Sequence, residues 1–343
     1  MATLFLMGLA GSAAVVVFRE MIDRAAGSVR SRDLFGKYVL GDVIASGGMG
    51  TVFEATYCPE GGFQRRVAIK RIHPHLAENQ DFVARFRHEA ELCARLAHPN
   101  IVAALDFGRV DDSYFFAMEF IDGLMLKDVL AHRRLTDRQL NPAVVAWIGR
   151  QILEGLGYAH AAARDSDGQL LHVVHRDLSP HNVLLDRSGV VKISDFGVAR
   201  ALRGAHDLHT GNLAGKPAYM APEQLRKAAI DERSDLFSLA VVLWEALTNQ
   251  RLFFRDSEAA TMLAVLEQPA PAPSTVRQGL NSGWDEFFHR ALAKTSDERF
   301  QTATGMANEL VRLQDRVGSA GPEDVAWLVA ESHEDALEEL VLE

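Results

Sequence analysis

The chain has 343 residues, of which 48% are hydrophobic and 24% charged, a globular composition with room for one large or two ordinary domains. The net charge of −10 argues against nucleic acid as the main partner, and residues 316–343 hold eight acidic residues against one arginine. Two cysteines, Cys58 and Cys93, are too few for a metal site of their own, and such sparse usage fits a reducing compartment.

Residues 3–18 carry no charged side chain and are followed by Arg19, Arg24, Arg30 and Arg32. As a helix this run would cover about 24 Å, less than the ~30 Å hydrocarbon core of a bilayer. No basic side chain precedes it, as one would in a secretory signal. Three interpretations stay open: a membrane anchor that leaves the following domain in the cytoplasm, a helix packed on the protein, or sequence outside the domain proper.

A glycine-rich hairpin is predicted next. Residues 40–46 and 51–55 have the composition of strands, and Gly47-Gly48-Met49-Gly50 forms a turn between them. Glycines let a backbone close over phosphate groups and offer N–H donors. The hairpin is therefore a candidate phosphate-binding loop, and a plain β-hairpin turn is the alternative.

A lysine and a glutamate in apolar surroundings predict an ion pair. Lys70 ends the apolar run Val67-Ala68-Ile69, and the helix predicted at 81–96 places Glu89 on its apolar face with Phe82, Phe86, Cys93 and Leu96. A carboxylate in such a stripe is costly unless it is paired. Lys70 is the expected partner, and an ordinary structural salt bridge is the alternative to a functional one.

Further elements are predicted downstream. Residues 114–120 form a strand, 144–160 an amphipathic helix with Ile148, Ile152 and Leu156 inward, and 234–248 a helix that is apolar nearly all round. Asp235, near the start of the last helix, is expected to accept N–H bonds from the helix terminus and from the loop around residue 176.

The stretch 172–197 carries the chemistry. His175-Arg-Asp-Leu-x-x-x-Asn182, followed by Asp195-Phe-Gly197, holds two carboxylates and a carboxamide on loops between short apolar strands. With Gly215-Lys-Pro-Ala-Tyr-Met-Ala-Pro-Glu223, it resembles the catalytic, metal and substrate-platform segments of protein kinases, in particular the bacterial eukaryotic-like (Hanks-type) Ser/Thr kinases. The resemblance covers residues 38–313.

The resemblance implies an α+β, bilobal protein-kinase-like fold. A small β-rich N-lobe with one main helix would span 38–121, and a larger, mostly α-helical C-lobe would span 122–315. Residues 1–37 would be an N-terminal apolar segment and linker, and 316–343 an acidic C-terminal tail. The catalytic domain is expected to be cytoplasmic.

The resemblance also implies the roles of the site residues. Asp177 would orient the substrate hydroxyl, Asn182 and Asp195 would hold Mg²⁺, and the Lys70–Glu89 pair would steady the phosphates of ATP. The nucleotide would be bound by the hairpin, the adjoining strands and a hinge in which Met118 is the gatekeeper: Ile44, Ala45, Ser46, Gly47, Gly48, Met49, Gly50, Thr51, Val52, Ala68, Lys70, Met118, Glu119, Ile121 and Leu184. Glu223 is expected to pair with Arg299.

Two departures from the family pattern suggest that a lysine has changed its place in the sequence. Ser179 stands where the family has a lysine that contacts the γ-phosphate, and Lys216 stands where it has a threonine. We expect Lys216 to supply the missing charge. The alternative is that Lys216 is exposed and Ser179 is tolerated.

Control by phosphorylation is expected as well. Arg176 beside Asp177 suits pairing with a phosphorylated activation loop. Between 197 and 221 the only hydroxyls belong to Thr210 and Tyr219, and Thr210 has a suitable offset from Glu223. We expect autophosphorylation at Thr210, with a dimer as the means of doing so in trans.

The function implied is transfer of the γ-phosphate of ATP to Ser or Thr hydroxyls of proteins. Two rivals remain. Ala45, in place of the first loop glycine, and Ser179 would suit a pseudokinase or ATP-binding scaffold without phosphotransfer. A small-molecule phosphotransferase sharing the fold is the other, although the full segment from Asp195 to Glu223 favours a peptide substrate.

Overall fold

The computed structural model describes residues 34–35, 37–48, 50–58, 62–110, 113–196 and 216–342, with side chains except at 34–35, 85, 89, 216 and 334–342. The chain divides into two units. The first comprises the described residues up to Ala77 together with Gly108–Phe120, and the second comprises Glu78–Phe107 and the described residues from Ile121 onward.

The first unit is an antiparallel sheet. Its strands are β1 (Leu34–Phe35), β2 (Tyr38–Gly47), β3 (Gly50–Tyr57), β4 (Arg65–Ile72), β5 (Ala104–Val110) and β6 (Ser113–Glu119), in the order β1-β2-β3-β4-β6-β5. The short helix α1 (Pro74–Ala77) follows β4.

One face of this sheet carries its apolar core. Residues alternate in direction along a strand, and the buried side chains of Tyr38, Ala55, Ile69, Phe115 and Ala117 pack together on one side. The Tyr38 ring meets the Phe115 ring edge-on, with 5.5 Å between centroids. The side chains that alternate with these along each strand lie on the opposite face, away from this core.

The β2–β3 hairpin closes as predicted. Gly47 pairs with Gly50, and Ser46 pairs with Thr51. A Cβ at Gly50 would lie 2.1 Å from the backbone oxygen of Arg71 in β4, so only glycine fits there. His73 also contacts the turn, since its Nε2 lies 2.8 Å from the backbone oxygen of Gly47.

The segment Glu78–Phe107, which includes the first four residues of β5, groups with the second unit and not with the rest of the sheet, whereas the prediction places it in the β-rich lobe. Its helix α2 (Gln80–Ala94) buries Val83, Phe86, Ala90 and Cys93, whereas the predicted inward residue Phe82 is half-buried.

The hydrogen bonds of Asn100, which follows α2, explain why this segment groups with the second unit. Asn100 is 2% exposed, and its Nδ2 donates to the backbone oxygen of Val191 and to Oε1 of Gln151, both at 2.9 Å. The backbone oxygen of Asn100 accepts from the Ile193 N–H, also at 2.9 Å. These bonds fasten residues 98–102 to the second unit.

The second unit is mainly helical. A small sheet of β7 (Gly123–Met125), β8 (Val183–Asp186) and β9 (Val191–Ile193) leads to Asp195. Its helices are α3 (Leu126–Leu135), α4 (Pro142–Ala161), α5 (Pro222–Leu225), α6 (Glu232–Thr248), α7 (Glu258–Glu267), α8 (Pro273–Val276), α9 (Ser282–Ala291), α10 (Ala303–Val317) and α11 (Pro322–Leu342).

Helix α6 is the centre of this unit. Every residue from Ser234 to Thr248 is buried, as the continuous apolar pattern predicts. Asp231 caps its first turn by accepting from the Arg233 N–H at 3.0 Å, so Asp235 is left for another use.

The acidic tail is a helix that packs on the second unit. Val325, Leu328 and Val329 of α11 are at most 2% exposed. Glu331 pairs with the buried guanidinium of Arg133 and lies 3.0 Å from Nη1 of Arg138. The predicted tail, 316–343, is therefore part of this unit's packed core up to residue 333.

Within the described parts of the chain, we find no helix with the length and apolar character needed to cross a membrane. Residues 3–18, the expected anchor, lie outside them.

Candidate active site

One face of the first unit gathers four of the predicted nucleotide-binding residues. Val52 lies opposite Lys70 in the β3–β4 pair, and Ala68 lies opposite Met118 in the β4–β6 pair. Directly opposed residues share a face, and so do Ala68 and Lys70 at a spacing of two. This face is the one turned away from the apolar core. Ala45, opposite Val52, follows a bulge in β2.

In the second unit a buried carboxylate holds the loop of Asp177. Asp235 accepts hydrogen bonds from the backbone N–H groups of His175 and Arg176, each at 2.7 Å, and from Nε2 of His160 at 2.8 Å. Burial acts to raise the pKa of Asp235, but these hydrogen bonds outweigh it and lower the pKa below its ordinary value. The predicted bond to the loop is thus confirmed.

One residue in this loop and one in the loop of Asp195 have an unusual backbone conformation. Arg176 has φ = 65° and Asp195 has φ = 53°, in the left-handed region that side chains other than glycine rarely adopt. Such strain of about 1–3 kcal/mol per residue persists only where neighbours fix the conformation. Asp235 supplies that constraint for Arg176.

His175 joins the loop of Asp177 to that of Asp195. Its ring is fully buried, and Nε2 lies 3.0 Å from the Ser194 oxygen, so Nε2 must carry the proton. Nδ1 is then free to accept from the Asp177 N–H at 3.2 Å. The Phe196 ring lies 4.6 Å from the imidazole, centroid to centroid.

Asn182 is oriented by the same loop. Its Nδ2 donates to the Asp177 backbone oxygen at 2.7 Å, which leaves Oδ1 as the acceptor end of the amide. Its backbone oxygen accepts from the Ser194 N–H at 2.9 Å. Asp177, Asn182 and Asp195 therefore lie on loops that are joined by hydrogen bonds.

The remaining site residues are placed in part. Leu184 lies in β8 opposite Met125, and Ser179 lines the same small crevice as Asp177, of about 10 Å³. Lys70 belongs to the first unit and the catalytic loop to the second, so their predicted meeting around one nucleotide stays a prediction.

Several of the predicted site residues are not described by the structure, or only their backbone is. Met49, Gly197 and Thr210 are among the residues not described, and the side chains of Glu89 and Lys216 are not described. Among the described residues, no group of three His, Cys, Asp or Glu side chains is arranged to hold a metal.

The segment after Tyr219 is anchored as predicted. Arg299, 1% exposed, donates through Nη1 and Nη2 to the two oxygens of Glu223, each at 2.8 Å. Burial alone would raise the pKa of Glu223, but the bonds from Arg299 and Ser234 lower it. The expected pair is confirmed.

Two sets of contacts made by this segment were not predicted from the sequence. Gln224 donates through Nε2 to the Arg176 oxygen at 2.8 Å, which ties the segment to the catalytic loop. Tyr219 donates its hydroxyl proton to Oε2 of Glu245 at 2.9 Å, and Nη1 of Arg251 contacts both groups. Glu245 interrupts the apolar helix α6, so the rule that flagged Glu89 would have flagged it; Gln224 carries no such signal.

A glycine hairpin on an antiparallel sheet and a helical unit with Asp177, Asn182 and Asp195 on connected loops are typical of the protein kinase class. The family model described as the protein kinase domain matches residues 38–311, and the chain belongs to that family.

Among curated relatives, the chain is 39% identical over 288 residues to "Tyrosine-protein kinase MasK" of Myxococcus xanthus, covering 83% of this chain and 44% of that protein. It is 34% identical to "Serine/threonine-protein kinase PrkC" of Bacillus subtilis, covering 80% and 40%. It is 33% identical to "Serine/threonine-protein kinase PknB" of Mycobacterium tuberculosis, covering 82% and 43%. The chain thus spans less than half the length of these relatives.

Among solved structures, the kinase domain of Mycobacterium tuberculosis PknI is similar, with a TM-score of 0.60 and 28% identity, covering 81% of this chain and 96% of that one. This likeness agrees with the predicted α+β kinase fold.

Proposed function

We propose that this chain transfers the γ-phosphate of ATP to Ser or Thr hydroxyls of protein substrates. The observation that carries the proposal is the loop 175–182, whose conformation is fixed by the buried Asp235. A catalytic group must be held within a fraction of an ångström to act on a bound hydroxyl. Asp177 would accept or orient that hydroxyl, and Lys70 with Glu89 would position the phosphates.

Asn182 and Asp195 would hold a Mg²⁺ ion. Carboxylate and carboxamide oxygens are hard ligands, and magnesium in such sites takes one or two protein ligands and completes its shell with phosphate oxygens and water. The fixed amide of Asn182, with Oδ1 as its acceptor end, fits this role. When bound, the ion would neutralise charge on the phosphates.

We also propose that Lys216 compensates for Ser179. Support comes from the crevice that Ser179 shares with Tyr219 and Met220, since the 3₁₀ helix Lys216–Tyr219 brings residue 216 into the same neighbourhood. If Lys216→Ala and Lys216→Thr both leave the turnover rate unchanged, this exchange is wrong.

The experiment that tests the main proposal is incubation of the full chain with ATP and Mg²⁺ and a generic protein acceptor, followed by intact mass and phosphoamino-acid analysis. Asp177→Asn and Asp195→Ala are the controls, and both should lose transfer. ATP binding without transfer by the wild-type chain would favour the pseudokinase. Transfer to aminoglycosides or choline but not to protein would favour the small-molecule phosphotransferase.

Tyrosine is a second candidate acceptor. The relative named as a tyrosine-protein kinase is 39% identical to this chain, against 34% and 33% for two relatives named as serine/threonine kinases. Phosphotyrosine as the only modified residue in the same analysis would replace the Ser/Thr assignment.

We further propose autophosphorylation at Thr210 between two copies of the chain. An Asp177→Asn chain mixed with the wild type should gain phosphate at Thr210, and a mapped, active sample without it would remove the proposal. Anchoring through residues 3–18 is tested by comparing membrane sedimentation of the chain with and without them.

A further inference from the structure

A cavity of the second unit lies between two of its helices and is open to solvent. Its volume is about 350 Å³, and small-molecule sites in proteins usually measure about 300–1,000 Å³. The lining consists of Trp147 and Arg150 of α4, Gln314 and Asp315 of α10, and the connection 318–320 between α10 and α11. None of the predicted catalytic, metal or nucleotide-binding residues lines it, so it is a separate candidate binding site.

The guanidinium group of Arg150 is held in place at this cavity. Its Nη1 donates to Oε1 of the buried Gln314 at 2.9 Å, and its Cζ lies 5.5 Å from the centroid of the Trp147 ring. Gln314 is fixed in turn, since its Nε2 donates to the backbone oxygen of Ala320 at 2.9 Å. A side chain that is ordered before a ligand arrives loses less conformational entropy on binding. The cavity therefore presents a preorganised cation.

Arg150 and Asp315 bring opposite charges to the lining without neutralising each other. In the part of the chain that the structure describes, neither side chain forms an ion pair, and the Arg150 guanidinium donates only to Gln314. Asp315 is exposed. Because a guanidinium offers several N–H donors, Arg150 keeps donors for an anion, and the carboxylate of Asp315 keeps acceptors for a cation.

The opposite charges of the lining favour a ligand that itself carries both charges. A ligand with a single charge would be attracted by one of these groups and repelled by the other. We propose that the cavity binds a small zwitterion, namely an amino acid whose α-carboxylate contacts Arg150 and whose α-ammonium group contacts Asp315. Arginine suits a carboxylate because its paired donors match the two oxygens. Trp147 and the small residues at 318–320 offer apolar surface and room for the ligand's side chain.

Calorimetry of the full chain without ATP or protein substrate tests the site independently of phosphotransfer. The probes are glycine, leucine and phenylalanine, each with its amide, which lacks the carboxylate, and its N-acetyl derivative, which lacks the ammonium group. The amino acid that binds best should bind at least about tenfold more tightly than both of its derivatives, since each derivative loses a charge-assisted hydrogen bond. No saturable binding by any of the three amino acids would overturn the proposal, and so would a derivative that binds as tightly as its parent.

Matched variants assign each end of the ligand to its partner. In Arg150→Gln the preference for the amino acid over its amide should fall below about threefold, while the preference over the N-acetyl derivative is kept. In Asp315→Asn the reverse should hold. Asp315 is exposed and forms no ion pair with a described residue, so its variant tests the site even if Arg150→Gln fails to fold.

A surface ion pair on the same helix provides the controls. Arg312 and Glu309 of α10 form an i,i+3 pair outside the lining of the cavity. Arg312→Gln and Glu309→Gln remove the same charges and should leave the affinities of all the probes unchanged. If they weaken binding as much as the lining variants do, the effect comes from net charge and the proposal is wrong.

Tryptophan fluorescence shows where the ligand binds. Trp147 is one of four tryptophans in the chain, and an amino acid seated beside its ring should change its emission. Trp147→Phe keeps an aromatic ring in the lining and should abolish this change, while calorimetry still detects binding. A ligand-dependent change of unaltered size in Trp147→Phe would place the bound amino acid elsewhere and overturn the proposal.

Discussion

Removing the Glu331 carboxylate should weaken the packing of the tail helix on the second unit. Glu331 is the partner of Arg133, whose side chain is only 7% exposed, and of Arg138, which is 51% exposed. Losing one partner of a buried pair costs about 3–5 kcal/mol, because the other charge stays buried without compensation. The exposed contact with Arg138 adds less than about 1 kcal/mol. We therefore expect Glu331→Ala to lower the free energy of unfolding by about 3 kcal/mol.

The helix can limit this loss by coming away locally. Val325, Leu328 and Val329 oppose that, since each buried aliphatic side chain contributes about 1.5–3 kcal/mol. Urea unfolding followed by tryptophan fluorescence measures the stability, and limited proteolysis between α10 and α11 reports local release.

A paired substitution provides the control. Arg133→Met combined with Glu331→Met removes both charges and keeps apolar volume, so it should recover most of the stability lost in Glu331→Ala. A Glu331→Ala variant within about 0.5 kcal/mol of the wild type, with unchanged proteolysis, would refute the reasoning that this ion pair secures the helix.

Three further outcomes are expected. Arg299→Met leaves Glu223 without its bidentate partner and should lower the free energy of unfolding by about 3 kcal/mol in urea titrations; an unchanged midpoint would contradict this. Burial, aided by nearby arginines, lowers the pKa of Lys294 from 10.5 to about 8. Between these two values the unfolded chain binds a proton that the folded lysine has lost, so stability rises with pH there. The free energy of wild type minus Lys294→Met should therefore increase across that window, and a flat difference would exclude the shift. At Gly189, φ is 85° and a Cβ would lie 1.8 Å from a backbone oxygen of the tail helix, whereas Gly168 has φ = 79° and open space. Gly189→Ala should cost at least about 1 kcal/mol more than Gly168→Ala, and equal melting temperatures would argue against the contact.

Sequence periodicity predicted several of the longer regular elements. The helix expected at 144–160 is found at Pro142–Ala161, and the strand expected at 114–120 at Ser113–Glu119. Both have long apolar patterns that only one period fits. The start of the helix at 234–248 was misjudged, because Asp231 and not Asp235 caps it. Two aspartates within one turn look alike in sequence, and only the fold decides which carboxylate is drawn into the catalytic loop.

The site was predictable where a residue contradicts its surroundings or matches a family motif. Arg299 satisfies those conditions, and its pair with Glu223 follows the prediction. Asp177 and Asn182 satisfy them too, and their catalytic and metal-binding roles stay predictions. Asn100 and Gln224 do not, since a neutral amide in a loop is ordinary until its neighbours are known. Both act by bridging segments far apart in the chain. Such contacts depend on tertiary distances that no local pattern encodes.

The position of one proton on the His175 ring has a consequence for chemical control of this protein. Because Nε2–H serves the Ser194 oxygen and Nδ1 serves the Asp177 amide, a second proton on the imidazole would leave that amide facing another donor. A small molecule that displaces Ser194 would likewise break the hydrogen bond that Nε2 of His175 donates to the Ser194 oxygen. A compound that displaces Phe196 and Ser194 should therefore weaken the contact between the two loops.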